Sequence, residues 1–126
     1  MHTIIHRLAE LGVLWAALLA LPANTYSNPT ELPHRLIVKF GSICCGTDPN
    51  ARQQLSGIIS QYEQQIRTPI VSKKLWWGIE GEFTLCFTLS ELSAPLQEAL
   101  VSDVRARVRS KHVKIEENVV CRGGWT

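Results

Sequence analysis

The residues best equipped for chemistry are four cysteines, Cys44, Cys45, Cys86 and Cys121, two of them adjacent in sequence. Thiolates are soft ligands and good nucleophiles. An adjacent pair could hold Cu(I) or Zn²⁺, or cycle between dithiol and disulfide. Outside the cytoplasm an even cysteine count points instead to structural disulfides. The choice depends on the compartment and on the elements that position the sulfurs.

Glu80 and Glu82 are a second candidate. Two carboxylates so close could share acid–base work in a hydrolase-like reaction. No second catalytic group lies near them in sequence, and a solvated turn after Gly78 explains both. Arg105, Arg107, Arg109, Lys111 and Lys114 concentrate positive charge near the end of a helical segment, where cations complement the helix dipole. Their spacing spreads them around the helix rather than along one nucleic-acid-reading face. His34 and His112 stand in no ligand spacing. There is no phosphate-cradling glycine loop, zinc-protease helix or nucleophile elbow, and nothing calls for a cofactor.

The compartment is read from the apolar run Leu11–Leu21, preceded by Arg7 and followed by Pro22 and Ala23. That order of charge, apolar core and small residue is the pattern of an export signal. The run is shorter than the roughly 20 residues a membrane-spanning helix needs. Residues 1–23 are therefore expected to be a removed leader, with export to a periplasmic or extracellular space. The alternative is an uncleaved anchor, extended backwards through Ile4, Ile5 and Leu8. Losing the leader removes Arg7 and Glu10 and leaves the net charge of +2 unchanged. So small a charge marks neither nucleic acid nor an anionic membrane as the partner. Residues 24–33, rich in Asn, Ser, Thr and Pro, read as a linker, and residues 34–126 as one domain.

Within that domain Arg35–Cys45 reads as a strand with Leu36, Val38 and Phe40 on one face. Asp48 and Pro49 then open a helix running to about Arg67, with an apolar stripe of Ala51, Leu55, Ile58, Ile59, Tyr62 and Ile66. Ile70–Trp77 and Glu82–Leu89 read as strands joined by a turn. A second helix opens at Ser93-Ala94-Pro95 and repeats Leu96, Leu100, Val104 and Val108 every four residues. His112–Val120 closes the chain as a strand, with a bulge expected near Asn118.

Strand, helix, strand, strand, helix, strand is the split βαβ order of an α+β, ferredoxin-like two-layer sandwich. Right-handed crossovers place the first and third strands centrally, with both helices on one face of the antiparallel sheet. Lysines and glutamates on the outer strands suit edges that must not pair with neighbours.

In this frame Cys45 and Cys86 share the face away from the helices and form the best disulfide pair, whereas Cys121 is remote from Cys44. A bond between Cys44 and Cys45 themselves would be strained. The adjacent pair lies just before a helix N-terminus, where the dipole lowers a thiol pKa. Its place is similar to that in heavy-metal-associated domains, which share this architecture and carry cysteines at the first strand–helix junction. Here the two are adjacent rather than in CxxC spacing.

On the second strand Trp77 shares parity with Val71 and Leu75 and is expected beneath the helices. Trp76 then faces the open side of the sheet with Ile37, Lys39, Ile43, Thr84 and Thr88, the surface most suited to a partner. The leading expectation is an exported, non-enzymatic domain that binds another protein or peptide and is held by at least one disulfide. The alternative is a thiol-based metal or redox protein using Cys44 and Cys45.

Overall fold

The computed structural model describes residues 31–125. The leader and most of the linker lie outside them. Glu31, Leu32 and Pro33 are exposed and without regular structure. The elements run β1 (His34–Phe40), α1 (Pro49–Ile66), β2 (Ser72–Trp77), β3 (Glu82–Phe87), α2 (Ala94–Arg107) and β4 (Val113–Val119). The sheet is antiparallel in the order β2-β3-β1-β4, with β1 and β3 central and both helices on one face: the ferredoxin-like arrangement.

Local signals account for the helix ends. Asp48 Oδ1 accepts the backbone N–H groups of Asn50 at 2.9 Å and Ala51 at 3.2 Å, and Pro49 occupies the first turn, where its missing N–H costs nothing. These bonds hold the Asp48 carboxyl below its ordinary pKa, the Ala51 bond foremost. Arg67 stops α1 in the left-handed region and returns its N–H to the Glu63 carbonyl. Across the two helices the Tyr62 hydroxyl donates to Asp103 Oδ2 at 2.6 Å. Desolvation first, and this bond second, raise the Tyr62 phenol to about 12.

The main core lies between sheet and helices. Leu36, Val38 and Phe40 of β1 meet Phe83 and Phe87 of β3, with Leu55 and Ile58 of α1 and Leu100 and Val104 of α2 closing over them. Phe40 and Phe83 stack with ring centroids 4.7 Å apart. These are the apolar positions that the two periodicities, near 3.6 for helix and 2 for strand, select.

The open face of the sheet is also covered. After β4 the chain folds back across it. Cys121 bonds to Cys86 on β3, and Ile37, Cys86 and Cys121 form a second buried cluster with Leu75 beside it. Beyond Cys121 the tail continues to Trp125, whose ring lies 6.4 Å from that of Trp77. Glycines permit the approach: a methyl group on Gly123 would meet the Trp77 ring at 3.2 Å, and one on Gly41 would meet Trp125 at 3.1 Å. The tail is therefore a strap across the face that the sequence pattern leaves bare.

Three expectations are corrected at this level. β1 ends at Phe40 rather than Cys45, and the chain enters a loop closed by an antiparallel bridge between Ser42 and Thr47. The β4 register stays constant from Val113 to Val119, so there is no bulge. Asn118 takes a left-handed backbone instead, at φ 56°. The faces of β2 are reversed. Trp76 pairs with Phe83 and faces the helix side, while Trp77 pairs with Glu82 on the other side and donates from Nε1 to Thr84 Oγ1 at 2.9 Å. The reason is the strap, which makes Leu75 and Trp77 part of an apolar layer of their own.

One ion network couples α2 to the sheet. Arg35 donates to Glu117 Oε1 at 2.8 Å, and Arg105 Nε donates to Glu117 Oε2 at 2.7 Å. Arg35 chiefly, and Arg105 next, hold the Glu117 carboxyl below its ordinary pKa. A carboxyl whose pKa is lower when folded stabilises the protein above its unfolded pKa and loses that contribution as pH falls through the folded value. The urea midpoint should therefore drop on acidification below the usual carboxylate range. Glu117→Gln should flatten that part of the profile, and an unchanged pH slope in the variant would rule the network out as its source.

Candidate functional site

The helices leave the helix-side face of β2 uncovered. Ser72, Lys74 and Trp76 project there as one wall of an open groove, and Arg52, Leu55, Ser56 and Ile59 of α1 form the other. Phe40, Phe83, Leu85 and Phe87 make the floor. The volume is about 870 Å³, within the range of ligand-binding clefts. An indole over such a floor would ordinarily be buried, yet Trp76 is 67% exposed. Lys74 Nζ stands 4.0 Å from the centre of the Trp76 ring and 4.3 Å from that of Phe83, which holds the wall aromatic and cationic together.

The groove is polar at its ends. At one end Glu63 Oε2 accepts the Ile70 N–H at 2.8 Å. At the other, Glu80 accepts a hydrogen bond from the Ser42 hydroxyl beside the loop that carries Ile43, Cys44 and Cys45. Both carboxylates are thus occupied within the fold. Arg52 and Lys74 make no ion pair among the described residues. The groove thus carries two cations without an ion-pair partner among those residues and two carboxylates that accept hydrogen bonds within the fold.

The sequence-derived surface is divided by the fold. Ile37, Lys39 and Thr84 do share the face away from the helices, but all three are buried under the strap. Lys39 is held there by Glu116, whose Oε1 lies 3.1 Å from its Nζ at an angle too oblique for a hydrogen bond. Thr88 is exposed just beyond β3, next to Ser90. Ile43 and Trp76 are exposed on the opposite side, where both line the groove. Of the six positions these two belong to one site. Parity along β2 placed Trp76 on the wrong face. The signal that could have corrected it is the small, turn-permitting tail Arg122-Gly123-Gly124-Trp125, which carries an aromatic needing a partner.

The cysteines also regroup. The expected Cys45–Cys86 bond is replaced by Cys86–Cys121. Cys86 pairs across the sheet with Ile37, well inside β1, whereas Cys45 lies past the end of that strand and cannot face it. Cys121 reaches Cys86 because the strap carries it over β1. Cys44 and Cys45 are free and exposed, with their sulfurs 2.7 Å apart. The expected lowering of the thiol pKa by the helix dipole is reversed at Cys44. The bond to Cys45 chiefly, then desolvation and the nearby Glu80 charge, push that thiol upward. The first N–H groups of α1 are already taken by Asp48. Among the described residues no three His, Cys, Asp or Glu side chains come together as a metal site.

Glu80 and Glu82 are engaged in different contacts. Glu82 Oε2 accepts the Glu80 N–H at 3.1 Å and closes the β2–β3 turn, while the Glu80 side chain turns to the groove. Arg105 is paired with Glu117, and Arg107 and Arg109 are exposed. No helix among the described residues is long and apolar enough to cross a membrane. The chain matches no protein-family model, no curated protein and no solved structure.

Proposed function

We propose that this is an exported, non-enzymatic binding domain that takes an extended segment of another protein into the groove between α1 and β2. The observation that carries this reading is Trp76, an indole left largely in solvent above an apolar floor. Exposed tryptophans over pockets are the residues around which binding energy concentrates. The neighbouring strand adds to the case. β2 is an edge of the sheet, and an extended chain laid beside it would gain backbone hydrogen bonds while placing alternate side chains in the groove. Arg52 and Lys74 favour a segment that mixes apolar with acidic residues. Export is supported by the leader pattern and by a disulfide that suits an oxidising compartment.

The test is titration with synthetic extended peptides of alternating apolar and acidic residues, followed by amide chemical shifts. Shifts should gather on α1, β2 and the Ile43–Cys45 loop. Trp76→Ala should weaken binding at least about tenfold, the scale of a dominant interface residue. Its thermal midpoint should change little, because the ring is already in solvent. Shifts confined to other surfaces, or equal binding by the variant, would refute the reading. Export is tested separately, by sequencing the amino terminus of the natural product, which should begin after Ala23.

A further inference from the structure

We propose that Cys44 and Cys45 form a thiol–disulfide exchange site, at which a low-molecular-weight disulfide of the glutathione class converts the pair into a reversible intrachain ring. This goes beyond the groove reading and does not depend on what the groove binds.

Four observations carry it. The two sulfurs already face each other at 2.7 Å, so ring closure needs little movement. Both residues are exposed, which gives a small disulfide access. Neither has another sulfur to choose within the described residues, because Cys86 and Cys121 are bonded to each other and buried. The loop is pinned on both sides of the pair. Ser42 bridges Thr47, the Ile43 N–H donates to the Gly46 carbonyl at 2.8 Å, and the Ser42 hydroxyl is held by Glu80. Gly46, at φ 135°, supplies the backbone freedom that the turn requires. Among the described residues no third ligand of the His, Cys, Asp or Glu type completes a metal site there, which favours exchange over metal retention.

The chemistry balances within the pair and its co-reactant. The thiolate of one cysteine attacks the disulfide RSSR and expels one RS⁻, leaving a mixed disulfide on the protein. The neighbouring thiol loses its proton, attacks the protein sulfur of that adduct and expels the second RS⁻. Two electrons pass from the dithiol to RSSR, and the two thiol protons end on two RSH molecules. Neighbouring Cα atoms stand about 3.8 Å apart across a trans peptide, closer than the usual span of a disulfide. Such a ring is readily reopened, as regulatory rather than structural disulfides are. The raised pKa of the Cys44 thiol keeps that thiol protonated near neutrality, so its attack on the disulfide should quicken as pH rises.

The experiment equilibrates the folded protein, its Cys86–Cys121 bond intact, with glutathione buffers from fully reduced to fully oxidised. N-ethylmaleimide then quenches each sample for mass measurement of the peptide containing Cys44 and Cys45. At the reduced limit that peptide should carry two maleimides. At the oxidised limit it should carry none, bear no glutathione, and be lighter than the unmodified dithiol by two hydrogens. Cys45→Ser should stop at a stable mixed disulfide with one glutathione on Cys44. Retention of both maleimides at the oxidised limit, separate glutathione adducts on the two sulfurs, or disulfide-linked dimers would each overturn the proposal. Peptide binding plays no part in this readout, so the groove reading stands or fails separately.

Discussion

Replacing Cys86 and Cys121 together by alanine should lower the unfolding free energy by about 3–4 kcal/mol, the effect expected for releasing a loop of this length. The bond joins residues separated by 35 positions. Without it the unfolded chain regains the freedom of that whole segment. Part of the loss is local as well. Cys86 and Cys121 are in the small cluster with Ile37, and the strap they anchor keeps Ile37, Lys39 and Thr84 dry. Urea unfolding followed by tryptophan emission gives the measurement and a second signal, because a loosened strap separates Trp125 from Trp77. Cys44→Ala with Cys45→Ala is the control. Both residues are exposed and free, so the unfolding free energy should move by no more than about 0.5 kcal/mol. A loss below about 1 kcal/mol in the first variant would mean that the tryptophan pair and its glycine contacts hold the strap without the bond.

Removing the Glu116 carboxylate should cost nearly as much. Lys39 is almost wholly enclosed on the strapped face, and Glu116 is the carboxylate paired with it. Glu116→Ala leaves an enclosed ammonium group without a counter-charge. Breaking a fully buried pair from one side costs about 3–5 kcal/mol. Here water would replace the partly exposed Glu116 side chain near Lys39, so the cost should be about 2–3 kcal/mol. Lys39→Met is the contrasting case. It fills the same space with an apolar chain and strands only Glu116, which is partly exposed, so the cost should be small or reversed. Equal destabilisation by the two variants would show that volume, not charge, governs the site.

The topology was legible because it follows from patterns the chain states locally. Asp48-Pro49 marks one helix start and Ser93-Ala94-Pro95 the other, and Phe83, Leu85 and Phe87 alternate cleanly. Those signals settle element type and order, and handedness then restricts the arrangement. What was illegible is what a second covered face does to the pattern. Alternation tells which residues of a strand share a face, but not which of two apolar faces meets the helices. For β1 and β3 the larger side chains decided it correctly. For β2 the choice lay between Trp76 and Trp77, and parity with Leu75 favoured the wrong one.

The candidate site was half visible for the same reason. Trp76 and Ile43 were singled out as surface anchors, and the structure brings both to one groove, though on the other side of the sheet from the one expected. The remaining members, Arg52, Ile59 and Lys74, come from α1 and β2 and carry no chemical signature in sequence. A groove formed where a helix stops short of an edge strand is a property of packing. The disulfide was missed because its geometry depends on residues 120–125, a stretch too short and too rich in glycine to read as an element. Once that segment lies across the sheet, the pairing follows.

The crosslink has a topological consequence. The backbone from Cys86 to Cys121 is a closed covalent circuit that includes α2 and β4. A protease that severs any peptide bond inside this circuit, for instance in the turn at residues 108–112, opens it without producing two separable fragments. Such nicked molecules remain one covalent species until the sulfur bridge is reduced. The half of the molecule opposite the groove can therefore sustain a cut in its polypeptide while the walls and floor at Trp76 and Phe83 stay joined to the rest.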